Sequence, residues 1–150
     1  MLWGSMAENG VGNLEFIPTT MNKEVYQEIL QRNLRDSAKK LKLGRRFIFQ
    51  QDSDPKHTAK STMEWFRKNK IDVLPWAPQS PDLNPIEHLW RHLDVKVRQR
   101  PVLPRNIAEL KTALTEEWLA IDPEFTKNLV DSMPRRCDAV IAARGGNTKY

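Results

Sequence analysis

The chain has little of the chemistry that secreted and membrane proteins depend on. It contains one cysteine, Cys137, in 150 residues, so neither an internal disulfide nor a multi-cysteine zinc site can form. No apolar run approaches the roughly 20 residues that span a bilayer. The N-terminus has no charged region followed by an apolar stretch, so we expect no signal peptide and no secretion. These absences predict a protein of a reducing compartment with no membrane partner.

The composition is that of an ordinary globular protein with a basic surplus. Apolar residues make up 39% and charged residues 29% of the chain, and the length suits one domain, residues 1–150. The net charge is +5 and the pI is about 9.5. Such a surplus suits a polyanionic partner, although charge alone favours a solvated surface, because modest basicity is common. The basic residues form two clusters: Lys39, Lys40, Lys42, Arg45 and Arg46, then Arg91, Lys96, Arg98, Arg100 and Arg105.

The first half of the chain predicts strands that alternate with helices. Short apolar segments at 2–4 and 14–17 predict a hairpin whose turn is formed by Gly10, Gly12 and Asn13. A helix should begin after Asn22, which can cap it. The apolar run 46–50 predicts a strand covered on both faces. Two further elements follow, a helix capped by Thr58 with Ala59, Met63 and Phe66 inward, and a strand over 71–74.

The second half predicts helices only. Asn84 followed by Pro85 favours a helix start, and a second start at Asn106 carries Glu109 three residues on, the capping-box spacing. Ile107, Leu110, Leu114 and Trp118 should be the buried face of that second helix. Two more helices are predicted, from Asp122-Pro123 onward and through 140–145. The order predicts an α/β fold with a helical C-terminal tail.

Two acids stand at positions where a fold can bring them together. Asp52 follows the apolar strand 46–50, and Glu87 lies in the first turn of the helix after Asn84, with 34 residues between the two acids. Ligands bind beyond the carboxyl ends of strands in open α/β sheets, and carboxylates on rigid elements can hold magnesium against phosphate. The pair is therefore our candidate for both catalysis and metal binding.

Each acid also has a structural explanation. Asp52 could simply make an Asx turn in its loop. Glu87 could close a capping box with Asn84, or pair with Arg91 one turn later. His88 and His92 are spaced like a zinc pair, but the glutamate precedes them and no third ligand is evident, so zinc is disfavoured. His57 is expected to hydrogen-bond near Asp52.

Two long motifs carry a family resemblance. The segments Gln50-Gln51-Asp52-Ser53-Asp54-Pro55-Lys56-His57-Thr58-Ala59 and Ser80-Pro81-Asp82-Leu83-Asn84-Pro85-Ile86-Glu87-His88-Leu89-Trp90 closely resemble the catalytic domain of Tc/mariner-superfamily DNA transposases. Flanking segments at 2–4, 10–14, 20–22, 132–137 and 145–150 resemble it as well. Ser53 and His88 stand where the family usually has asparagine.

The resemblance implies an RNase H-like fold and a DDE set of two aspartates and a glutamate that binds two Mg²⁺ or Mn²⁺ ions. Asp52 resembles the second acid and Glu87 the third. The first aspartate, the strand that carries it and the DNA-binding helix-turn-helix region have no counterpart here, so we expect an incomplete mixed sheet with flanking helices. Two metal ions would then be incompletely bound.

The implied function is metal-dependent DNA strand cleavage and strand transfer in transposition, by a piece of the catalytic domain that is inactive alone. The alternative is a domesticated, non-enzymatic domain that binds nucleic acid or protein. The expected partners are DNA and a second copy of the chain, and the expected location is the nucleus, otherwise the cytoplasm. We expect DNA contacts from Lys56, His57, Arg91, Lys96, Arg98 and Arg100.

Overall fold

The N-terminal hairpin forms, but its turn lies earlier than predicted. In the computed structural model, which describes residues 1–146 and 148–150, β1 (Leu2–Ala7) pairs antiparallel with β2 (Gly10–Phe16). The turn is at residues 8–9, so the prediction that Gly10, Gly12 and Asn13 form it is wrong. Gly10 has a φ of +126°, which favours glycine directly after the turn. A Cβ on Gly12 would lie 2.7 Å from the Ser37 side chain, so this glycine lets a helix approach β2.

Helix α1 (Lys23–Lys40) packs along the hairpin. As predicted, Asn22 caps it, since its Oδ1 accepts a hydrogen bond of 2.9 Å from the Val25 amide. Tyr26, Ile29, Leu30 and Leu34 are buried on its inner face.

The middle of the chain holds a second, very short sheet. Strands β3 (Ile48–Phe49) and β4 (Asp72–Val73) pair in parallel, joined through α2 (Pro55–Thr58) and α3 (Lys60–Lys68). The prediction that the first of these strands is covered on both faces is wrong, because Ile48 is 65% exposed. Thr58 does not cap α3, which begins after Ala59, and Met63 points outward; Thr62 and Phe66 are the buried residues.

The C-terminal half is helical, as predicted. A short 3₁₀ turn (Pro81–Leu83) leads into α4 (Pro85–Arg98), followed by α5 (Ile107–Leu119), α6 (Pro123–Asp131) and α7 (Met133–Ala142). The predicted inner face of α5 is partly wrong: Trp118 is buried, whereas Ile107 and Leu110 are exposed. Among the described residues, no helix combines the length and the apolar character needed to cross a membrane.

The hairpin lies between two hydrophobic clusters. On one side Trp3 and Ile17 join α1 and Phe66; on the other, Val11 joins Leu89, Leu93 and Trp118. Gly4 permits close packing at this boundary, because a Cβ there would lie 2.6 Å from Trp90 and 2.9 Å from Trp118, whose rings stack at 5.2 Å. The Trp118 indole N–H also donates to the Gly12 carbonyl at 3.0 Å. The α/β class and the helical tail are thus confirmed.

The sheet is incomplete, as the sequence predicted. Within residues 1–146 and 148–150, β1 pairs only with β2, and β3 pairs only with β4. Between the two pairs lies a cavity of about 710 Å³, which we call the central groove; β1, β3, the inner face of α1 and the first turns of α4 line it. Both candidate acids, Asp52 and Glu87, are among its lining residues.

Candidate active site

The end of β3 is fixed by a buried glutamine. Gln51 accepts a 2.7 Å hydrogen bond from the Tyr26 hydroxyl and donates to the His57 carbonyl at 3.0 Å. Burial raises the pKa of Tyr26, and the negative charges of Asp52 and Asp54 raise it further, so the hydroxyl remains a donor. These bonds connect the loop after β3 to both α1 and α2. They fix the backbone next to Asp52, which lines the groove.

The Asp52 carboxylate is held on one side only. Its Oδ1 accepts from the Asp54 amide at 3.0 Å and from His57 Nδ1 at 2.5 Å. The Asx turn that we considered as an alternative is therefore present, and it orients the carboxylate. The residue remains half exposed, with no bond to its Oδ2 among the described residues. The geometry therefore leaves an oxygen available to a ligand.

His57 orients Asp52 as a neutral side chain. Its ring lies on Tyr26, with centroids 4.1 Å apart. Burial lowers the pKa of His57 more than the negative charge of Asp52 raises it. A neutral imidazole that donates through Nδ1 fixes one rotamer of the carboxylate without neutralising its charge.

Lys56 forms an ion pair next to Asp52 and so is not a free positive charge. Asp54 caps α2 by accepting from the Lys56 amide at 3.0 Å, and the Lys56 ammonium pairs with the same carboxylate. Burial acts to raise the pKa of Asp54, but the hydrogen bonds from Lys56 lower it overall. Asp54 is therefore an ionised capping residue, and its carboxylate largely neutralises the charge of Lys56.

Glu87 reaches the same groove from α4. It sits in the first turn, where its amide donates to the Asn84 carbonyl at 3.2 Å. Although its surface is mostly open, the groove wall desolvates the carboxyl and raises its pKa, and the negative charge of Asp52 raises it further. The two acids therefore lie close enough for their charges to repel across the groove.

Neither structural explanation for Glu87 is realised. In the part of the chain that the structure describes, its carboxylate makes no hydrogen bond to Asn84 and no ion pair with Arg91. The Asn84 amide donates instead to the Pro81 carbonyl at 3.0 Å, and its side-chain Oδ1 is buried without a partner. The carboxylate of Glu87 is thus left free at a position that could have capped the helix.

The loop before α4 is anchored by the C-terminal tail. Arg136 is buried on α7, where its guanidinium donates to the Asp82 carbonyl and to Ser132 Oγ, each at 2.8 Å. Thr148 donates to the Asp82 carboxylate at 2.9 Å, and the Tyr150 ring lies 4.9 Å from the guanidinium. Burial lowers the pKa of Arg136, but these acceptors keep it paired. The tail therefore anchors the loop from which α4, the helix that carries Glu87, begins.

The expected DNA-binding side chains differ in whether their charges already form ion pairs within the chain. Arg98 pairs with Asp94 at 2.8 Å, and Arg100 pairs with Glu116 and Glu117 at 2.6 and 2.7 Å. Arg91 and Lys96 are exposed and make no ion pair within the described ranges. At 3.6 residues per turn, Arg91 lies about 40° and Arg98 about 20° from Glu87 around α4, whereas Lys96 lies about 180° away. Of these side chains, Arg91 alone lies on the face of α4 that carries Glu87 and has no ion-pair partner among the described residues.

A metal ion would have two protein ligands here. Asp52 and Glu87 converge, but no group of three or more histidine, cysteine, aspartate or glutamate residues suited to a metal occurs among the residues described. Two carboxylates fit a single Mg²⁺ that keeps water or phosphate oxygens as its other ligands. His88 and His92 therefore belong to no metal-binding group of three among the described residues, and the His92 ring stacks on Phe125.

Sequence reasoning did not assign roles to Gln51 and Tyr26. In the sequence Gln51 stands out only as part of a motif, and Tyr26 only as one residue of the helix predicted after Asn22. The available signal was a polar residue at the end of an apolar strand, which must find a buried hydrogen-bond partner if the strand end is covered.

Comparison with known proteins places this geometry in a family. Residues 1–111 match the family model of the DDE superfamily endonucleases. The chain is 45% identical over 150 residues to the Tcb2 transposable-element transposase of Caenorhabditis briggsae, covering all of this chain and 54% of the relative. It therefore spans about half the length of that curated protein.

Solved structures agree with this match. The catalytic domain of Mos1 transposase, solved with raltegravir and Mn, superposes with a TM-score of 0.85 at 26% identity, over 99% of this chain and 76% of that domain. A Mos1 paired-end complex with a left transposon end gives a TM-score of 0.86 at 26% identity, over 99% of this chain and 44% of that protein. The fold is therefore RNase H-like, and the chain belongs to the DDE superfamily endonucleases, among the Tc/mariner transposase catalytic domains.

Proposed function

We propose that this chain is the metal- and DNA-binding part of a Tc/mariner catalytic domain, with Asp52 and Glu87 as the ligands of one divalent cation, Mg²⁺ or Mn²⁺. The complete domain would cleave DNA strands and transfer them to a target. The observation that carries the proposal is the convergence of two carboxylates on one groove, where the charge of Asp52 raises the pKa of Glu87.

The chain's own residues would prepare the site for a cation. His57 and the Asp54 amide hold one oxygen of Asp52 and leave the other toward the groove. Glu87 has no ion-pair partner among the described residues, so its repulsion with Asp52 would be relieved by a bound ion. The ion would polarise a phosphoryl oxygen and stabilise the charge that develops during phosphodiester cleavage.

A single site limits what the chain can do alone. In-line displacement by this class of enzyme uses two metal ions about 3.5–4 Å apart, which requires a ligand that bridges them. The described residues provide two suitable acids and no third. We therefore propose that the chain binds one cation and DNA but has little or no cleavage activity by itself.

Cation binding can be measured directly. We would titrate the chain with Mn²⁺ and follow the free ion by electron paramagnetic resonance. Asp52→Asn should weaken Mn²⁺ binding by at least about tenfold, because it removes one of two charged ligands. Asp94→Asn is the matched control, since Asp94 is an exposed α4 acid paired with Arg98 outside the groove. Equal affinities for both variants and the unchanged chain would refute the proposed site.

Cleavage is tested separately with supercoiled plasmid in Mg²⁺ or Mn²⁺. We expect no nicking above the rate of the Asp52→Ala control. Metal-dependent nicking that disappears in both Asp52→Ala and Glu87→Ala would show that two acids suffice, and the proposal of inactivity would be wrong.

The second candidate function is nucleic-acid binding without catalysis. It is favoured by the exposed cluster 42–46 and by the unpaired Arg91. Gel shifts over a salt series would test it: each phosphate contact adds about 0.9 to the slope of log affinity against log salt. Arg91→Gln should weaken binding, whereas Arg98→Gln, which removes a charge already paired, should weaken it less. Binding that does not change with salt would exclude a phosphate-directed interface.

Two expectations about the cellular state complete the proposal. A protein acting on genomic DNA would reside in the nucleus, and fluorescence microscopy of a tagged chain would test this. A homodimer would hold two DNA ends together, and light scattering with and without DNA would test that.

A further inference from the structure

The loop before α4, residues 80–84, has few polar contacts with the rest of the molecule. The two backbone hydrogen bonds that it donates are local and close the 3₁₀ turn, at 3.0 and 3.3 Å. Among the described residues, hydrogen bonds from distant parts of the chain reach this loop from Arg136 and Thr148 only. These two side chains are therefore its polar anchors.

Both anchors act on one residue, Asp82. The Arg136 guanidinium donates to the Asp82 carbonyl at 2.8 Å, and the Thr148 hydroxyl donates to the Asp82 carboxylate at 2.9 Å. The other oxygen of this carboxylate accepts from the Leu83 amide at 3.1 Å. Asp82 is thus held at its backbone and at its side chain, which restricts the turn that leads into α4.

Arg136 is itself fixed in place. It is 2% exposed, and its Nε donates to Ser132 Oγ at 2.8 Å, while that hydroxyl donates to the Leu129 carbonyl at 2.6 Å. The guanidinium thus donates to neutral oxygens, which offset the cost of burying a cation only in part. An apolar residue of similar size would fill the same space at lower cost, so packing alone does not explain an arginine at this position.

Glu87 depends on this loop for its direction. It lies five residues after Asp82, in the first turn of α4, and its amide donates to the Asn84 carbonyl at 3.2 Å. Its carboxylate makes no hydrogen bond or ion pair in the part of the chain that the structure describes. Ligands of a functional site must be held within about 0.5 Å of the productive geometry. A shift of the turn would therefore move this ligand relative to Asp52.

We propose that Arg136 and Thr148 are positioning residues for Glu87: by holding Asp82, they direct the Glu87 carboxylate toward Asp52. They lie 54 and 66 residues from Asp82 in the chain, and neither lines the central groove, so each acts through Glu87. This inference rests on the proposed cation site and adds to it the residues that hold one of its two ligands.

Thr148 allows a test that leaves the core intact. Mn²⁺ is titrated into the full chain, and the free ion is followed by electron paramagnetic resonance. Thr148→Val keeps the shape of the side chain but removes the hydroxyl, so it should weaken Mn²⁺ binding about threefold. Thr148→Ser keeps the hydroxyl and should bind as the unchanged chain does. Thr115→Val is the matched control, because the Thr115 hydroxyl donates to the Lys111 carbonyl at 2.9 Å on α5, outside the groove.

Arg136 should give the larger effect. Arg136→Met removes both hydrogen bonds while keeping an unbranched side chain, and should weaken Mn²⁺ binding at least about tenfold. Arg136→Lys keeps a cationic donor and should bind with an affinity between those of the Met variant and the unchanged chain. Circular dichroism checks that each variant folds; if Arg136→Met does not, Thr148→Val decides alone.

A double-mutant cycle separates positioning from general loosening of the fold. In a Glu87→Gln background the ligand is already lost, so Thr148→Val should change Mn²⁺ affinity no further. In an Asp52→Asn background Glu87 is still present, so Thr148→Val should again weaken binding. A weakening of the same size in the Glu87→Gln background would show that Thr148 does not act through Glu87.

Hydrogen exchange in EDTA gives a readout that needs no metal. The amides of Leu83, Asn84 and Glu87 should exchange faster in Thr148→Val than in the unchanged chain, while those of α5 should not change. The inference is overturned if these amides keep their rates, or if the folded variants bind Mn²⁺ as the unchanged chain does.

Failure of the proposed cation site would look different. The unchanged chain would then show no saturable Mn²⁺ binding at all. The exchange rates in EDTA would still decide whether Arg136 and Thr148 hold the first turn of α4.

Discussion

Two helices of this protein begin with the same sequence pattern and use it differently. Helix α4 starts with Asn84 and has Glu87 three residues on; helix α5 starts with Asn106 and has Glu109 three residues on. At α5 the pattern caps the helix: Asn106 Oδ1 accepts from the Glu109 amide at 2.9 Å, and Glu109 folds back onto the Asn106 side chain at 2.8 Å and the Arg105 amide at 2.7 Å.

At α4 the same residue types cap nothing. The Asn84 amide is already bonded within the preceding 3₁₀ turn, its Oδ1 is buried without a partner, and Glu87 points into the groove. The difference shows that a capping pattern becomes a cap only where the preceding backbone leaves its donors free. Glu87 is thereby left available to a ligand at a small cost to the helix.

The largest difference between the two helices should be in how much stability is lost when a leucine of each is shortened to alanine. Leu89 of α4 is fully buried, whereas Leu110 of α5 is 39% exposed. Leu89→Ala should lower the free energy of unfolding by about 2–5 kcal/mol, because it leaves a cavity between α4 and the hairpin. Leu110→Ala should lower it by clearly less, about 1 kcal/mol, because part of this side chain is already in solvent. Urea denaturation followed by circular dichroism measures both, and similar losses would contradict the burial described here.

The next contrast should be in cation binding. Glu87→Gln should lower Mn²⁺ affinity at least about tenfold, while Glu109→Gln should leave it unchanged because Glu109 is occupied at its helix end. Mn²⁺ titration measures both. If Glu109→Gln lowered the affinity as much as Glu87→Gln did, the effect would come from total charge and not from a site.

A smaller contrast should appear on removing the two asparagine side chains. Asn106→Ala should destabilise the protein by about 1 kcal/mol, the usual loss for a cap. Asn84→Ala removes no capping bond and should cost less. Thermal melts of the two variants would test this order, and a larger loss for Asn84→Ala would mean that its side chain supports the 80–84 loop in another way.

The smallest effect should be the pH dependence of stability due to Glu87. Its pKa is raised in the folded state, so folding favours the protonated carboxyl. Stability from this group is present below the unfolded pKa of about 4.5 and is lost as the pH rises through the folded pKa. Glu87→Gln should therefore become more stable than the unchanged chain as the pH rises from 3 to 7 in EDTA. A gap that narrows over this range would show that the sign is wrong.

Many of the secondary-structure elements, and the position of Asp52, could be predicted from local sequence patterns. The cap at Asn22, the helix after Pro85 and the placement of Asp52 after a strand depend on neighbouring residues only, and the structure agrees with them. The position of Asp52 after a strand and of Glu87 in a first helical turn suggested the pair, and the family resemblance strengthened that expectation; the structure places both residues in the lining of one groove.

What could not be predicted depends on tertiary contacts. Ile48, Ile107 and Leu110 follow apolar patterns but are exposed, because no element in the described part of the chain covers them. Gly10 and Gly12 look like turn residues, yet Gly12 serves the close approach of α1. Glu87 is left uncapped because of the 3₁₀ turn before it, and the sequence did not reveal that turn.

The anchoring of the 80–84 loop by Arg136 makes the end of the chain part of the site's support. Arg136 donates a hydrogen bond to the Asp82 carbonyl, and Thr148 donates one to the Asp82 carboxylate. The last residues therefore support the loop that precedes α4 and Glu87. An expression design that trims this end, or attaches a bulky carrier at Tyr150, would loosen this support and weaken measurements that depend on Glu87. Affinity handles for this protein belong elsewhere, and the exposed segment around Val102 is a better place for a label.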